Sequence, residues 1–304
     1  MEGMKGVMHP MKTCGLGLLL ALATAPVAAE ESQWAIDGEL TASHDSNISR
    51  AERERDIVAD SSAVAGLGLV LLTEPSFNTA LNLRLFAEGE AWRDTDTLDR
   101  STGGGQLQLR WAPLRGYRAP VFGLNLSGQV DDYTVRQRDS LVYAAQLFTS
   151  LRANDRVRLS GGLEVTERRS EGTVFDMTQG RVFLNADFEL DPQWSAYSNY
   201  SHLRGDTFSS AQLGFCNGAP ATDIYGLISA SEAIEADAAF NESYCGSWVA
   251  YRLKAQTHAL TLGLNRGFGH SLSADVSVQG VQVNGQGDND YRRLVVRAGL
   301  LARF

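Results

Sequence analysis

The chain has 304 residues, 43% of them hydrophobic, and a formal net charge of −9. The normal apolar share excludes a disordered or collagen-like chain, and the acidic balance argues against a protein that binds the nucleic-acid backbone. No run of about eighteen apolar residues occurs, which argues against a transmembrane helix in the mature chain.

The N-terminal segment is typical of a secretory signal peptide. Lys5 and Lys12 form a positive flank, an apolar stretch follows at 15–25, and small residues stand at 27–29. This order predicts that residues 1–29 are removed after export and that residues 30–304 form a single domain.

The remainder of the chain alternates between apolar and polar residues. Leu83 and Leu85 flank Arg84, for example, and Leu163 and Val165 flank Glu164. Period-two alternation predicts β-strands that have one apolar and one polar face. Short turn-rich connections alternate with long polar loops at 45–60, 93–101, 131–139, 168–178, 204–253 and 284–291. Five short turns and six long loops predict twelve strands.

The last strand alternates as well, and it ends on the aromatic residue Phe304. This pattern resembles that of Gram-negative outer-membrane β-barrel (porin-like) proteins, whose terminal strand typically closes on a C-terminal Phe. The resemblance implies an all-β fold, a twelve-stranded antiparallel transmembrane β-barrel in the cell outer membrane. It also implies contact with outer-membrane lipid and lipopolysaccharide, and insertion by the barrel-insertion machinery through the C-terminal strand. We expect a monomer without a cofactor and without a nucleic-acid partner.

Tryptophans stand at or just beyond the ends of the predicted strands, where aromatic girdles would place them. They are Trp34, Trp92, Trp111, Trp194 and Trp248. We therefore predict that these side chains lie at the two membrane–water interfaces.

Charged residues of both signs fall on the inward parity of the predicted strands. The candidate lumen-lining residues are Arg84, Glu88, Arg110, Arg158, Glu164, Arg181, Asp187, Arg293 and Arg297. Opposite charges either satisfy one another structurally or form a selectivity track, and the narrow interior of twelve strands favours the structural interpretation. Pairing of the last strand with the first predicts that Arg293, Arg297 and Arg303 lie beside Asp37 and Glu39.

The loop at 204–253 is long for one connection, and such loops are commonly functional or disordered. Cys216 and Cys245 are an even pair in an exported chain, which predicts that one disulfide ties this extracellular loop. Ser229 and Glu232 have capping-box spacing before an alanine-rich stretch, where we predict a short helix. The loop could act as a lid over the mouth, as an outward binding surface, or as an ordered loop without a separate role.

The stretch 44–50 closes the first strand with His44, Asp45, Ser46 and Asn47. It resembles the His-x-Ser-Asn stretch of outer-membrane phospholipase A, whose serine and histidine act on the lipid-facing wall. The resemblance implies Ser46 as nucleophile and His44 as its base. That family has glycine after the asparagine, where this chain has Ile48, and the next strand offers no asparagine to orient the histidine. An interfacial histidine followed by an Asp-Ser-Asn turn is the alternative.

These patterns favour a narrow passive diffusion channel for small polar solutes. One alternative is a non-conducting structural, surface-binding or envelope-assembly barrel that uses loop 204–253. The other is a lipid-facing hydrolase built on His44 and Ser46, although we expect no enzymatic activity. We predict no metal site, because His202 has no cysteine or carboxylate at ligand spacing.

Overall fold

The computed structural model describes residues 30–287 and 289–304, so the predicted signal peptide lies outside the described residues. The strands are β1 (Glu30–Asp45), β2 (Asp60–Ser76), β3 (Thr79–Trp92), β4 (Arg100–Trp111), β5 (Val121–Tyr133), β6 (Ser140–Arg152), β7 (Val157–Ser170), β8 (Met177–Glu189), β9 (Trp194–Gly214), β10 (Ala233–Ala236), β11 (Ser247–Phe268), β12 (Leu272–Gly285) and β13 (Asp290–Arg303). Twelve of them close into an antiparallel barrel, because β13 pairs with β1 and β9 pairs with β11. β10 is an additional short strand on β11.

Each strand has one apolar face and one polar face, because alternate residues point to opposite sides of the sheet. One parity presents large apolar side chains to the outside, and Leu67 and Leu163 are 65% and 59% exposed. Closure also pairs the backbone N–H and C=O groups between neighbouring strands without leaving a sheet edge, as a bilayer requires. None of the helices in the described ranges is long and apolar enough to cross a bilayer.

The predicted twelve-strand barrel and the pairing of its first and last strands are confirmed. In the register of β1 with β13, Asp37 lies opposite Arg303 and Ser43 lies opposite Arg297. The Arg303 Nε donates a hydrogen bond of 2.9 Å to the Asp37 carboxylate, as expected. The expected position beside Asp37 and Glu39 is wrong for Arg293 and Arg297, because the antiparallel register places them farther toward the mouth, where Arg293 forms an ion pair with Asp45. The five short connections lie at one end of the barrel, the turn end, and the long loops lie at the other end, the mouth.

β9 and β11 continue past the barrel and carry a folded segment, which we call the cap (residues 206–253). Besides β10, the cap contains the helices α1 (Tyr225–Ser229) and α2 (Ala238–Ser243). Both helices and β10 lie in the long connection between the two extended strands, so the cap is built from a single hairpin.

The helix predicted directly after Ser229 and Glu232 is wrong. Ser229 ends α1, and its hydroxyl donates to the carbonyl of Gly226. The following stretch is β10, because pairing with residues 249–252 of β11 supplies its backbone hydrogen bonds. α2 begins later and is capped by the carboxylate of Asp237, which accepts from the backbone N–H of Phe240.

The girdle prediction is wrong for two of the five tryptophans. Trp248 is 2% exposed inside the cap, because β11 continues beyond the barrel wall. Trp92 packs against the same apolar cluster. Trp34 and Trp111 are 62% and 48% exposed near the turn end, where an interfacial girdle would lie.

Candidate functional site: the capped mouth and the barrel interior

The cap lies across the mouth of the barrel. It forms hydrogen bonds with the loops that follow β1, β3, β5, β7 and β12, which surround the opening. These contacts are Ser210–Ser49, Ala239–Thr97, Asp237–Arg138, Glu235–Thr173 and Ser209–Asn289. A segment that starts from one wall and reaches loops on every side must cover the opening. The cap therefore covers the opening, which is the position that a lid would take.

Apolar burial holds the cap against the loops. Ile48, Leu98 and Val135 come from three different loops, and they pack against Phe240 and Trp248 of the cap. All five are less than 9% exposed. Burying a side chain of this size contributes about 1.5–3 kcal/mol, so the cluster is a substantial part of what keeps the mouth covered.

A buried ion pair joins the cap to the loop after β5. The Arg138 guanidinium lies 2.9 Å from the Asp237 carboxylate, and the two residues are 7% and 0% exposed. Ser210 and the backbone N–H of Phe240 also donate to this carboxylate. The guanidinium stacks 4.5 Å from the ring centroid of Phe175. The pair is thus neutralised and hydrogen-bonded, as a buried charge requires.

The predicted disulfide is confirmed. Cys216 and Cys245 are bonded, with their Cα atoms 5.2 Å apart, and the bond closes the base of the long connection in the cap. The segment between them contains α1, β10 and α2, so the bond limits how far the cap can unfold away from the mouth.

A cavity of about 230 Å³ lies beneath the cap. It is lined by Asp45, Ile48, Arg50, Glu90, Trp92, Leu98, Arg100, Tyr133, Arg138, Arg168, Phe175, Met177, Phe208 and Arg293. Nine of these residues come from strands around the barrel, so their side chains face its interior, and the other five come from the loops at the mouth. Burial, with the nearby Arg293 cation, lowers the pKa of the Arg50 guanidinium to about 10.

The lining of this cavity also fixes which strand parity faces inward, because alternate residues share a face. Glu90, Arg100, Arg168, Met177 and Arg293 each face the interior. The nine predicted lumen residues have the same parity in their strands, namely Arg84 and Glu88 in β3, Arg110 in β4, Arg158 and Glu164 in β7, Arg181 and Asp187 in β8, and Arg293 and Arg297 in β13.

Several of these residues lie close together. Arg84 contacts Asp37 at 3.4 Å and Glu88 at 4.0 Å. Arg181 donates to Glu164 at 2.7 Å, and Gln146 donates to the same carboxylate at 2.9 Å. Elsewhere, Arg158 lies opposite Asp187 in register, while Arg110 lies opposite Gly123. The inner wall therefore carries charges of both signs, and those of Arg84, Glu88, Glu164 and Arg181 are paired with neighbouring side chains.

Sequence reasoning did not identify Arg50, Arg100, Arg138 or Asp237 as site residues. Arg100 stands at the first position of β4, and the other three lie in loops or in the cap. The parity of Arg100 was available as a signal, whereas the three loop and cap residues lie where no periodicity applies.

The structure gives His44 and Ser46 separate partners. His44 Nδ1 lies 3.0 Å from the hydroxyl of Ser61 on β2, and the hydroxyl of Ser46 accepts from the backbone N–H of Leu294 at 2.9 Å. Asn47 is buried, and its amide donates to the carbonyl of Ala51 at 2.8 Å. Within the described ranges no hydrogen bond joins His44 to Ser46, so the nucleophile–base contact that the resemblance implies is not formed in this conformation.

His202 lies beside His258, with ring centroids 4.7 Å apart, and His258 also contacts the hydroxyl of Tyr200 at 2.9 Å. Across the described part of the chain, no group of three His, Cys, Asp or Glu residues is placed to hold a metal ion.

No family model matches the chain, and no curated protein sequence matches it. Among solved structures, an outer-membrane channel from Pseudomonas putida F1 is similar with a TM-score of 0.55 and 12% identity, over 91% of this chain and 97% of that one. The KdgM porin (TM-score 0.38, 9% identity, 89% of this chain and 99% of that one) and the NanC porin (0.40, 9%, 88% and 98%) also match. The first similarity shows the fold, which is that of outer-membrane β-barrel proteins.

Proposed function

We propose that this protein is a narrow outer-membrane channel for small polar solutes and that its cap is the gate of that channel. The observation that carries the proposal is the exposure of an inner-face ion pair within the barrel. The side chains of Arg181 and Glu164 are 29% and 18% exposed although they face the interior. Partial exposure inside a closed barrel leaves water-sized space beside them, and a water-filled interior lined by charges is what a selective pore needs.

The cap supports the gating part of the proposal. It covers the mouth in a closed conformation, but a single hairpin carries it, and the disulfide lies within that hairpin and does not link it to another loop. Opening therefore requires that the cap leave the five surrounding loops without any change in barrel pairing. Loops and lids of this kind move on microsecond to second timescales.

The location follows from the same features. A band of exposed apolar side chains surrounds the barrel, and export would begin with the signal peptide predicted at residues 1–29. We propose that the turn end faces the periplasm and the capped mouth faces the outside, the usual arrangement of such barrels. Lipid and lipopolysaccharide would then contact the outer wall.

The test is ion selectivity in planar bilayers, with a variant whose mouth is open. The Cα atoms of Cys216 and Cys245 are 5.2 Å apart, so an Asn-Gly turn can replace residues 216–245. In that variant, Arg181→Glu should shift the reversal potential under a salt gradient toward cation selectivity. Arg169→Glu, with the same charge change on the outer parity of β7 at 70% exposure, should shift it far less.

Two outcomes would contradict the channel. A folded barrel that passes no current with the cap replaced would favour the non-conducting structural or envelope-assembly barrel. Equal shifts from Arg181→Glu and Arg169→Glu would show that the inner wall does not meet the permeating ions. Phospholipid cleavage that is lost on Ser46→Ala would instead support the hydrolase.

A further inference from the structure

The cavity beneath the cap holds one more cation than its carboxylates can pair. Five arginines line it, and four of them have acidic partners. These pairs are Arg293–Asp45, Arg100–Glu90 at 2.8 Å, Arg168–Asp131 at 3.1 Å and Arg138–Asp237 at 2.9 Å. Among residues 30–287 and 289–304, no carboxylate lies at ion-pair distance from Arg50. The cavity therefore carries an excess of one positive charge.

Arg50 also has an unusual backbone conformation. Its φ is +56°, and no other described non-glycine residue has a positive φ. A long side chain seldom occupies this left-handed region, and such residues concentrate at functional sites. The guanidinium lies 4.0 Å from the ring centroid of Phe208 and lines the cavity. Within the described ranges, no side chain or carbonyl accepts a hydrogen bond from its donors.

The rest of the lining is largely apolar and aromatic. Trp92, Leu98 and Phe175 face the same space as the arginines, together with Phe208 and Met177. A cavity of about 150 Å³ with apolar walls accommodates benzene. At about 230 Å³, this cavity can hold a six-membered ring with one carboxylate. An inorganic anion would neutralise Arg50 but leave the apolar wall without a partner.

We propose that this cavity is a binding site for one small organic monoanion, a carboxylate on a compact apolar body. Arg50 would bind the carboxylate through its free guanidinium donors, and the aromatic and aliphatic side chains would enclose the apolar body. Binding at this position would place a preferred solute directly under the gate. The site does not require that the barrel conduct, so failure of the channel proposal and failure of the site are separate results.

The experiment uses purified full-length protein in detergent and benzoate as the probe. Isothermal titration calorimetry measures affinity and stoichiometry, and intrinsic tryptophan fluorescence gives a second measure of occupancy, because Trp92 lines the cavity. We expect one benzoate per chain. The neutral isostere benzamide should bind at least about tenfold more weakly, because it lacks the charge-assisted hydrogen bonds. Acetate, which lacks the apolar body, should also bind more weakly.

The decisive variant is Arg50→Gly. Glycine adopts a positive φ without strain, so this variant should fold with a thermal midpoint no lower than that of the unsubstituted protein. It should bind benzoate at least about tenfold more weakly, while Arg50→Lys retains most of the affinity. Arg53→Gly is the matched control, because Arg53 lies in the same loop but pairs with Asp223 at 2.9 Å.

Three results would overturn the proposal. They are unchanged benzoate affinity in Arg50→Gly, equal binding of benzamide and benzoate, and displacement of benzoate by chloride with acetate binding as tightly as benzoate. The last result would show a site for any small anion, without recognition of an apolar body.

Discussion

Replacing Arg138 by methionine removes the cation that pairs with the buried carboxylate of the cap. Asp237 is 0% exposed, and it would keep only the Ser210 hydroxyl and the Phe240 N–H as partners. Removing one partner of a buried ion pair costs about 3–5 kcal/mol. Methionine retains contact with the ring of Phe175, so we expect little additional loss from packing. The fraction of molecules with an open cap should rise between about a hundredfold and a few thousandfold.

Hydrogen exchange measures this change directly. The backbone N–H of Ser210 in the cap donates to the carbonyl of Ser49 in the loop after β1, a bond that opening breaks, so this N–H should exchange faster by the same factor. Amide groups in the ladder between β4 and β5 should keep their protection, because cap opening leaves barrel pairing intact.

Arg169→Met is the control, because it removes an arginine from an exposed pair. Arg169 donates to Glu167 at 2.8 Å, with side chains 70% and 45% exposed, and such exposed pairs contribute little to stability because solvent screens them. Two results would refute the reasoning. Unchanged exchange in the cap would mean that the buried pair does not hold it, and equal acceleration in the cap and the barrel would mean that the cap is not a separate unit.

Three further measurements test other parts of the structure. Changing both cap cysteines to serine should destabilise the closed cap by about 3–4 kcal/mol, seen as faster proteolysis within it, and an unchanged cleavage rate would contradict this. Gly162→Ala should lower the stability of the barrel by at least about 1–3 kcal/mol, because the new Cβ would lie 2.1 Å from the carbonyl oxygen of Leu147. Gly103→Ala has open space around it and should be neutral in urea unfolding, so equal midpoints for the two variants would refute the register. Benzoate affinity should stay constant from about pH 7 to pH 9 and then fall as Arg50 loses its proton near its pKa of about 10, whereas a flat profile to about pH 11 would contradict the lowered pKa of Arg50.

The barrel could be predicted from the sequence because strand geometry forces adjacent residues onto opposite faces. Leu163 and Glu164 are neighbours in the chain, yet one is largely exposed on the outer wall and the other pairs inside with Arg181. A period of two is a property of the extended backbone, so it can be recognised in the sequence without any knowledge of tertiary contacts. The pairing of the first strand with the last followed from closure in the same way, but closure alone does not set the register, which places Arg297 opposite Ser43.

The cap could not be predicted to the same depth, because its elements depend on contacts between distant segments. The capping-box spacing of Ser229 and Glu232 favours a helix locally, but pairing with β11 makes the next residues a strand. Trp248 has the sequence position of an interfacial residue, but the extension of β11 carries it into the apolar core of the cap. Arg50 and Arg138 lie in loops, where only the folded arrangement reveals which one lacks an acidic partner.

Single-channel recording in planar bilayers tests the gated channel most directly. The unsubstituted protein should remain closed for most of the recording with brief openings, and the variant with Asn-Gly in place of residues 216–245 should stay open with a steady conductance. Arg138→Met should fall between the two, with an open fraction that rises in parallel with exchange in the cap. Identical current traces from the unsubstituted protein and the cap-replaced variant would contradict the account.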